Sequence, residues 1–215
     1  MIKAIFFDLD DTLHDHQAPF AKAFMETFKY LKILPAISDS YKKFRYYSDL
    51  QWGDYTKGKI SLEHLRINRI KSTLESFDIT LSEDQAIQFQ KAYEHNLNHL
   101  TLFSEVPQLF KELTTKGTEL GIITNGPVAH QQKKIHQLRL TQMIPNDRIF
   151  ISDQVGYAKP DPRIFHEVRE KINIPAQNLI YVGDTWENDI VGPTNAGWNA
   201  IWFNHRNRRR LEILN

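Results

Sequence analysis

The sequence predicts an α/β fold: a parallel sheet covered by helices on both faces, with a helical domain inserted between its first two strands. Three observations predict it. Five short apolar runs, Ala4 to Leu9, Leu120 to Thr124, Ile149 to Ser152, Leu179 to Gly183 and Ala200 to Phe203, are rich in Ile, Val and Phe and too short for helices. From about residue 104 onward amphipathic stretches alternate with these runs, the pattern of strands buried on both faces by crossover helices. More than 100 residues separate Leu9 from Leu120, and most of them carry helical spacing.

The elements follow in order. The first strand ends as its apolar run meets Asp8. Three aromatic and aliphatic stripes then recur at helical spacing: Phe20, Phe24, Phe28 and Leu31; Leu62, Leu65, Ile70, Leu74 and Phe77; and Ala86, Phe89, Tyr93, Leu97 and Leu100, the last behind a capping box at Ser82 and Gln85. These stripes read as the core of a separate helical domain over 15–95, leaving 1–14 and 96–215 to form the sheet domain. In the second half, helices are expected over Val106 to Lys116, stopped by Gly117, and over Pro162 to Ile172.

Composition narrows the function classes. Apolar residues make up 41% and charged residues 25%, which excludes fibrous and largely disordered chains. With 27 Lys+Arg against 26 Asp+Glu there is no general electrostatic reason to bind a nucleic-acid polymer or an anionic membrane. The absence of cysteine removes disulfides, thiolate metal sites and thiol nucleophiles. The apolar run before Asp8 is shorter than the ~7 to 15 residues of a signal-peptide core, and no run approaches the ~20 residues of a membrane span, so the cytoplasm is the expected compartment.

The residues that carry chemistry lie at strand ends, where ligands of open α/β sheets bind. Asp8-Leu9-Asp10-Asp11-Thr12 places two carboxylates one residue apart behind the first strand, a crowding of like charge that calls for a cation or a proton. Thr124-Asn125-Gly126 offers a hydroxyl, an amide and backbone N–H groups leading into a helix, an environment suited to phosphate oxygens. Lys159-Pro160-Asp161-Pro162 supplies a cation on a proline-stiffened turn, and Gly183-Asp184 through Asp189 supplies two more carboxylates. Singly each reads as an ordinary polar turn. Jointly, an acid pair, a Thr, a Lys and a second acid pair on four strand ends are hard to explain as ordinary turns.

This ordered set resembles the motifs of the haloacid dehalogenase (HAD) superfamily of hydrolases: DxDxT, a Thr or Ser after the second strand, a Lys, and GDxxxxD. The resemblance spans essentially the whole chain and implies a Rossmann-like parallel sheet core with a C1-type helical cap that closes over the active site. It implies that Asp8 is the nucleophile forming an aspartyl-phosphate and that Asp10 is the general acid and base. It implies that Mg²⁺ is the cofactor, held by the Asp8 side chain, the Asp10 carbonyl and the Asp184 side chain, with Asp189 orienting a metal water or Lys159. Thr124, Asn125 and Lys159 would bind the phosphoryl group.

Further details look like the nucleoside 5'-monophosphate phosphatase branch: Val155-Gly156-Tyr157-Ala158-Lys159-Pro160, and Trp52-Gly53-Asp54-Tyr55 followed by Gly58-Lys59-Ile60-Ser61. Trp52 or Tyr55, expected on a turn between two cap helices, would select a flat leaving group by stacking, or would simply pin that turn. The partner is then a small phosphorylated substrate. Sialic acid 9-phosphate phosphatases share much of the core pattern, so a phosphosugar phosphatase or a phosphomutase stands as the alternative. Halide-removing members need neither the metal nor Asp10, and a non-catalytic binding module would not need the full set.

Three other features are set aside. Gly53-Asp54-Tyr55-Thr56-Lys57-Gly58-Lys59-Ile60 nearly spells a P-loop, but Ile60 stands where the metal-binding hydroxyl belongs and no strand precedes it. His14-Asp15-His16 reads as polar surface rather than a chelate. Arg206 and Arg208 to Arg210 read as a solvated basic end.

Overall fold

The structure, a computed structural model, describes residues 1–31 and 33–207, with the backbone alone at 49, 52, 53 and 56. Its sheet has five parallel strands: β1 (Ala4–Phe7), β2 (Glu119–Thr124), β3 (Ile149–Ile151), β4 (Leu179–Gly183) and β5 (Asn199–Trp202), in the order β3-β2-β1-β4-β5. The central strand β1 is flanked on both sides, with Phe7 in register with Ile122 of β2 and with Val182 of β4. That register brings Asp8, Thr124 and Asp184 to the same rim. The strand bounds differ from the apolar runs by one or two residues, and Ser152 opens a short helical turn instead of closing a strand.

The chain forms two compact units, Met1–Asp15 with Thr101–Asn215, and His16–Leu100. In the first, the helices α5 (Val106–Thr115), α6 (Val128–Gln137), a single turn α7 (Ser152–Val155), α8 (Pro162–Ile172) and a last short α9 (Gly192–Asn195) accompany the sheet. Phe6, Ile123, Phe165, Tyr181 and Trp198 fill one core cluster, and each such fully buried large side chain contributes roughly 1.5 to 3 kcal/mol. Asp161 starts α8 by accepting a hydrogen bond from the Arg163 N–H, with Pro162 at the first helical position.

The second unit holds α1 (Ala18–Phe28), α2 (Ile37–Thr56), α3 (Leu62–Glu75) and α4 (Glu83–Leu97), with α1 packed on α4 and α2 on α3. Its core is aromatic: Phe20, Phe24, Phe28, Phe44, Phe89 and Tyr93 are buried together, and the Phe20 and Phe44 rings stand 4.9 Å apart. The capping box forms, with the Gln85 N–H donating to Ser82 Oγ and the Ser82 N–H donating to Gln85 Oε1. Two sequence expectations differ here. The edge drawn at residue 95 falls inside α4, and the helical unit continues to Leu100. The turn expected at Trp52 and Tyr55 is helix instead: α2, which no apolar stripe marked, extends to Thr56. The same helix end occupies the first half of the P-loop-like segment, so that segment lacks the strand that would hold a phosphate loop.

Candidate active site

The site is built outward from β1. Asp8 follows its last residue, and its N–H donates to the carbonyl of Val182 at 2.8 Å, which continues the β1–β4 ladder and fixes the start of the side chain. Lys159 reaches Asp8 from the loop before α8. Its ammonium donates to Asp8 Oδ1 at 2.8 Å, to Asp189 Oδ1 at 2.6 Å and to the Tyr181 hydroxyl at 2.6 Å, so all three N–H groups of a buried Lys are used. Tyr181 in turn donates to the carbonyl of Ile123, tying β4 to β2 beneath the site. No hydrogen bond reaches Asp8 Oδ2 from any described residue, which leaves that oxygen for chemistry.

The loop after β4 folds tightly back. Residues Trp186–Val191 form a short π-helical turn that returns Asp189 to the end of its own strand, where Oδ2 accepts the Thr185 N–H at 2.9 Å. This return needs a glycine: a Cβ on Gly183 would stand 2.4 Å from Asp189 Cγ. Asp189 is thereby committed through both oxygens, and its role in the geometry is to orient Lys159.

The phosphate-side loop is equally organised. Thr124, buried at the end of β2, accepts a hydrogen bond from Gln131 Nε2, so its own hydroxyl proton is directed elsewhere. Gly126 follows at φ 139°, a conformation open to glycine, and its N–H donates to Ser152 Oγ at 2.9 Å. Asn125 departs from expectation. Its Nδ2 donates to the Lys159 carbonyl at 2.8 Å and its Oδ1 accepts the Lys159 N–H at 2.9 Å. The side-chain amide is occupied in holding the two loops together, so in this geometry Asn125 acts through its side chain as a brace.

Electrostatics make the cluster short of positive charge. Asp8, Asp184 and Asp189 are buried and bring carboxylate oxygens within 4.8 Å of one another, with Lys159 the ammonium among them. Burial pushes the Asp8 carboxyl up to about 7, with Asp189 and Asp10 pushing the same way and Lys159 opposing. Burial works against the Lys159 charge as well, but Asp189 and Asp8 outweigh it and hold its pKa well above the ordinary value. Three hard carboxylate donors gathered around one ammonium suit a small divalent cation, and of the three Asp189 has both oxygens committed, to Lys159 and to the Thr185 N–H.

Asp10 stands apart from this cluster through its side chain, which meets His14 and Lys134 instead. His14 and His16 correct the surface reading: His14 is fully buried, and His16 is buried with its Nδ1 on the Tyr41 hydroxyl at 3.0 Å. Arg206 is also not a solvated end, since it pairs with Asp11 Oδ1 at 2.6 Å and Asp15 Oδ1 at 2.5 Å; Arg208 to Arg210 lie outside the described residues. Tyr55 lies half-buried in the last turn of α2, and the Trp52 side chain lies outside the described residues. Sequence reasoning missed Tyr181, Gln131 and Lys134. The last two sit three apart on one helical face, and their burial could have been suspected from that spacing.

The chain is similar to known proteins along most of its length. The profile of the haloacid dehalogenase-like hydrolases matches residues 2–197. The glyceraldehyde 3-phosphate phosphatase of Methanothermobacter thermautotrophicus is 30% identical over 210 residues, which cover 95% of this chain and 86% of that protein. The pyrimidine 5'-nucleotidase YjjG of Escherichia coli is 29% identical over 217 residues, covering 97% of this chain and 88% of that protein. Among solved structures, the HAD-hydrolase YfnB of Bacillus subtilis bound to magnesium superposes with a TM-score of 0.67 at 25% identity, covering 98% of this chain and 90% of that one.

Proposed function

The chain belongs to the haloacid dehalogenase-like hydrolases and is a phosphatase of that family, and from this premise we propose that it cleaves a small phosphomonoester through a phosphorylated Asp8 with Mg²⁺ as cofactor. The observation that carries the reading is the buried chain Asp8–Lys159–Asp189 with Asp184 beside it.

In this reading Asp8 Oδ2 attacks phosphorus, the ester P–O bond breaks, and the leaving alkoxide takes a proton from Asp10. A water then attacks the aspartyl-phosphate and gives its proton to Asp10, releasing inorganic phosphate and restoring the Asp8 carboxylate and the protonated Asp10. Lys159 holds Asp8 in place and neutralises phosphoryl charge, while Thr124 donates its hydroxyl proton to a phosphoryl oxygen. Asp8, the Asp10 carbonyl and Asp184 would hold Mg²⁺, which supplies charge neutralisation on the phosphoryl oxygens when bound. Asp189 serves through Lys159.

The substrate class is the finer part of the proposal. A nucleoside 5'-monophosphate fits the relative named pyrimidine 5'-nucleotidase and the aromatic pair Trp52 and Tyr55. A phosphosugar or triose phosphate fits the relative named glyceraldehyde 3-phosphate phosphatase. A panel of nucleoside monophosphates, ribose 5-phosphate and glyceraldehyde 3-phosphate, assayed with Mg²⁺ and with EDTA, tests the reading. Phosphate release from at least one ester, abolished by EDTA and restored by Mg²⁺, is expected. Full turnover in EDTA would remove the metal, and no release from any ester would remove the activity.

A further inference from the structure

Asp10 is gripped by two buried donors that the reaction as described does not use. Lys134 Nζ lies 2.6 Å from Asp10 Oδ2 and 2.8 Å from Oδ1, and His14 Nε2 lies 2.9 Å from Oδ1. Lys134 is 4% exposed and His14 is not exposed at all, whereas the Asp10 side chain keeps 26% of its surface accessible. Exposed Lys–Asp pairs are common and contribute little. A desolvated ammonium is different, because its burial is compensated only by a fixed counter-charge.

The two donors come from opposite directions in the chain. His14 follows Asp10 by four residues: the Leu13 N–H returns to the Leu9 carbonyl at 3.0 Å, and Asp11 takes a left-handed φ of 56°, which folds the segment back on itself. Lys134 arrives on α6, the helix that begins just after the Thr124-Asn125-Gly126 loop. One turn earlier on the same face, Gln131 donates to Thr124 Oγ1 and, at 3.0 Å, to the Asn125 carbonyl. A single helix face therefore fixes Thr124 through Gln131 and Asp10 through Lys134.

Resting on the reading of Asp10 as general acid and base, we propose that Lys134 and His14 are positioning residues that lock the Asp10 carboxyl in the orientation needed to pass a proton to the leaving oxygen. Lys134 grips both carboxyl oxygens, which stops rotation about the carboxyl bond, and His14 braces one of them from the side. Proton transfer is sensitive to such placement, since the donor must stay within hydrogen-bond reach of the leaving atom.

The test uses the Mg²⁺-loaded full-length protein and two esters of nearly equal shape, p-nitrophenyl phosphate and phenyl phosphate, whose leaving groups differ in their need for a proton. Single-turnover rates of phenol release are measured for wild type, Asp10→Asn, Lys134→Met, Lys134→Arg and His14→Leu. In Asp10→Asn the phenyl-to-nitrophenyl rate ratio should fall steeply. In Lys134→Met it should fall by about tenfold or more, with the Kd for inorganic phosphate within twofold of wild type, and Lys134→Arg should restore the ratio. His14→Leu should lower the ratio by a smaller factor, and it carries the test by itself should Lys134→Met fail to fold. Equal slowing of both esters, or a change confined to the phosphate Kd, would make Lys134 a structural residue and overturn the proposal. A normal ratio in Asp10→Asn itself would instead overturn the acid/base reading on which the proposal stands.

Discussion

Asn125 and Lys159 clasp each other through two hydrogen bonds, side chain to main chain in both directions, at 2.8 and 2.9 Å across 34 residues of sequence. The clasp sets the height of the Lys159 backbone and hence the reach of its ammonium to Asp8 and Asp189. Asn125→Ala should therefore lower kcat roughly 10- to 100-fold with little change in phosphate affinity. Asn125→Asp should be worse, because it turns a carboxylate oxygen toward the Lys159 carbonyl. Steady-state kinetics separate the outcomes: a rise in KM at constant kcat would return Asn125 to the role of phosphate ligand.

Covalent catalysis by Asp8 is checked directly. Asp8→Asn should remove turnover while the fold persists, because the amide keeps the volume and can still accept from Lys159. Wild type quenched in acid during turnover should carry one phosphate, and mass spectrometry should place it on Asp8. Asp10→Asn should still form that adduct from p-nitrophenyl phosphate but lose roughly 10²- to 10⁴-fold in overall rate. An adduct on any other residue would reassign the nucleophile.

What could be read from the sequence divides along a physical line. Asp8, Thr124 and Asp184 were legible because they interrupt apolar strands at their carboxyl ends, where a buried sheet has no other use for polar side chains, and Lys159 because two prolines stiffen the turn that carries it. The second layer was not. Tyr181 sits inside β4 and looks like one more large core residue, and only the fold shows its hydroxyl under Lys159. His14 is polar and lies beside a chain crossing, so local pattern assigned it to the surface, whereas a backward turn at Asp11 buries it. Helix α2 was passed over because, among its described side chains, Tyr41 and Phe44 are the buried apolar ones in a long, mostly polar stretch. Its packing rather than its own periodicity makes it a helix.

The charge imbalance at Asp8 gives a pH dependence with a definite sign. In the metal-free protein burial holds the Asp8 carboxyl up at about 7, while in the unfolded chain it ionises near 3.8. Between those values the folded state holds a proton that the unfolded state has lost, so the stability present below about pH 4 is lost as pH rises through 7. Asp8→Asn lacks this dependence. In EDTA, the Tm of Asp8→Asn minus that of wild type should grow from pH 5 to pH 8, and Mg²⁺ should shrink the gap by favouring the ionised carboxylate. A gap that stays flat with pH would show that Asp8 is ionised throughout.

Substrate choice is tested at the end of α2. Base stacking on an aromatic ring contributes about 1 to 3 kcal/mol, a bias of roughly ten- to a hundredfold. If Trp52 or Tyr55 provides it, Trp52→Ala and Tyr55→Ala should lower kcat/KM for uridine 5'-monophosphate far more than for glyceraldehyde 3-phosphate, with Tm nearly unchanged. Equal losses on both esters together with a lower Tm would make the rings part of the helical scaffold.

Gly183 and Asp189 offer the sharpest test of how Lys159 is held. Any side chain at residue 183 enters the space of the Asp189 carboxyl group, since its Cβ would lie 2.4 Å from Cγ and 2.5 Å from Oδ2. Gly183→Ala must therefore displace Asp189, taking away one of the three acceptors of the Lys159 ammonium and leaving a buried charge less well compensated. We expect kcat to fall roughly 100-fold, close to the loss in Asp189→Asn, and overpacking to cost a further ~1 to 3 kcal/mol, seen as a lower Tm. The double substitution discriminates: Asp189→Gly removes the Cβ as well as the carboxyl group that a Cβ at residue 183 would meet, so Gly183→Ala added to it should lower neither kcat nor Tm much further. Fully additive losses would mean that the glycine acts on the site by a route other than Asp189.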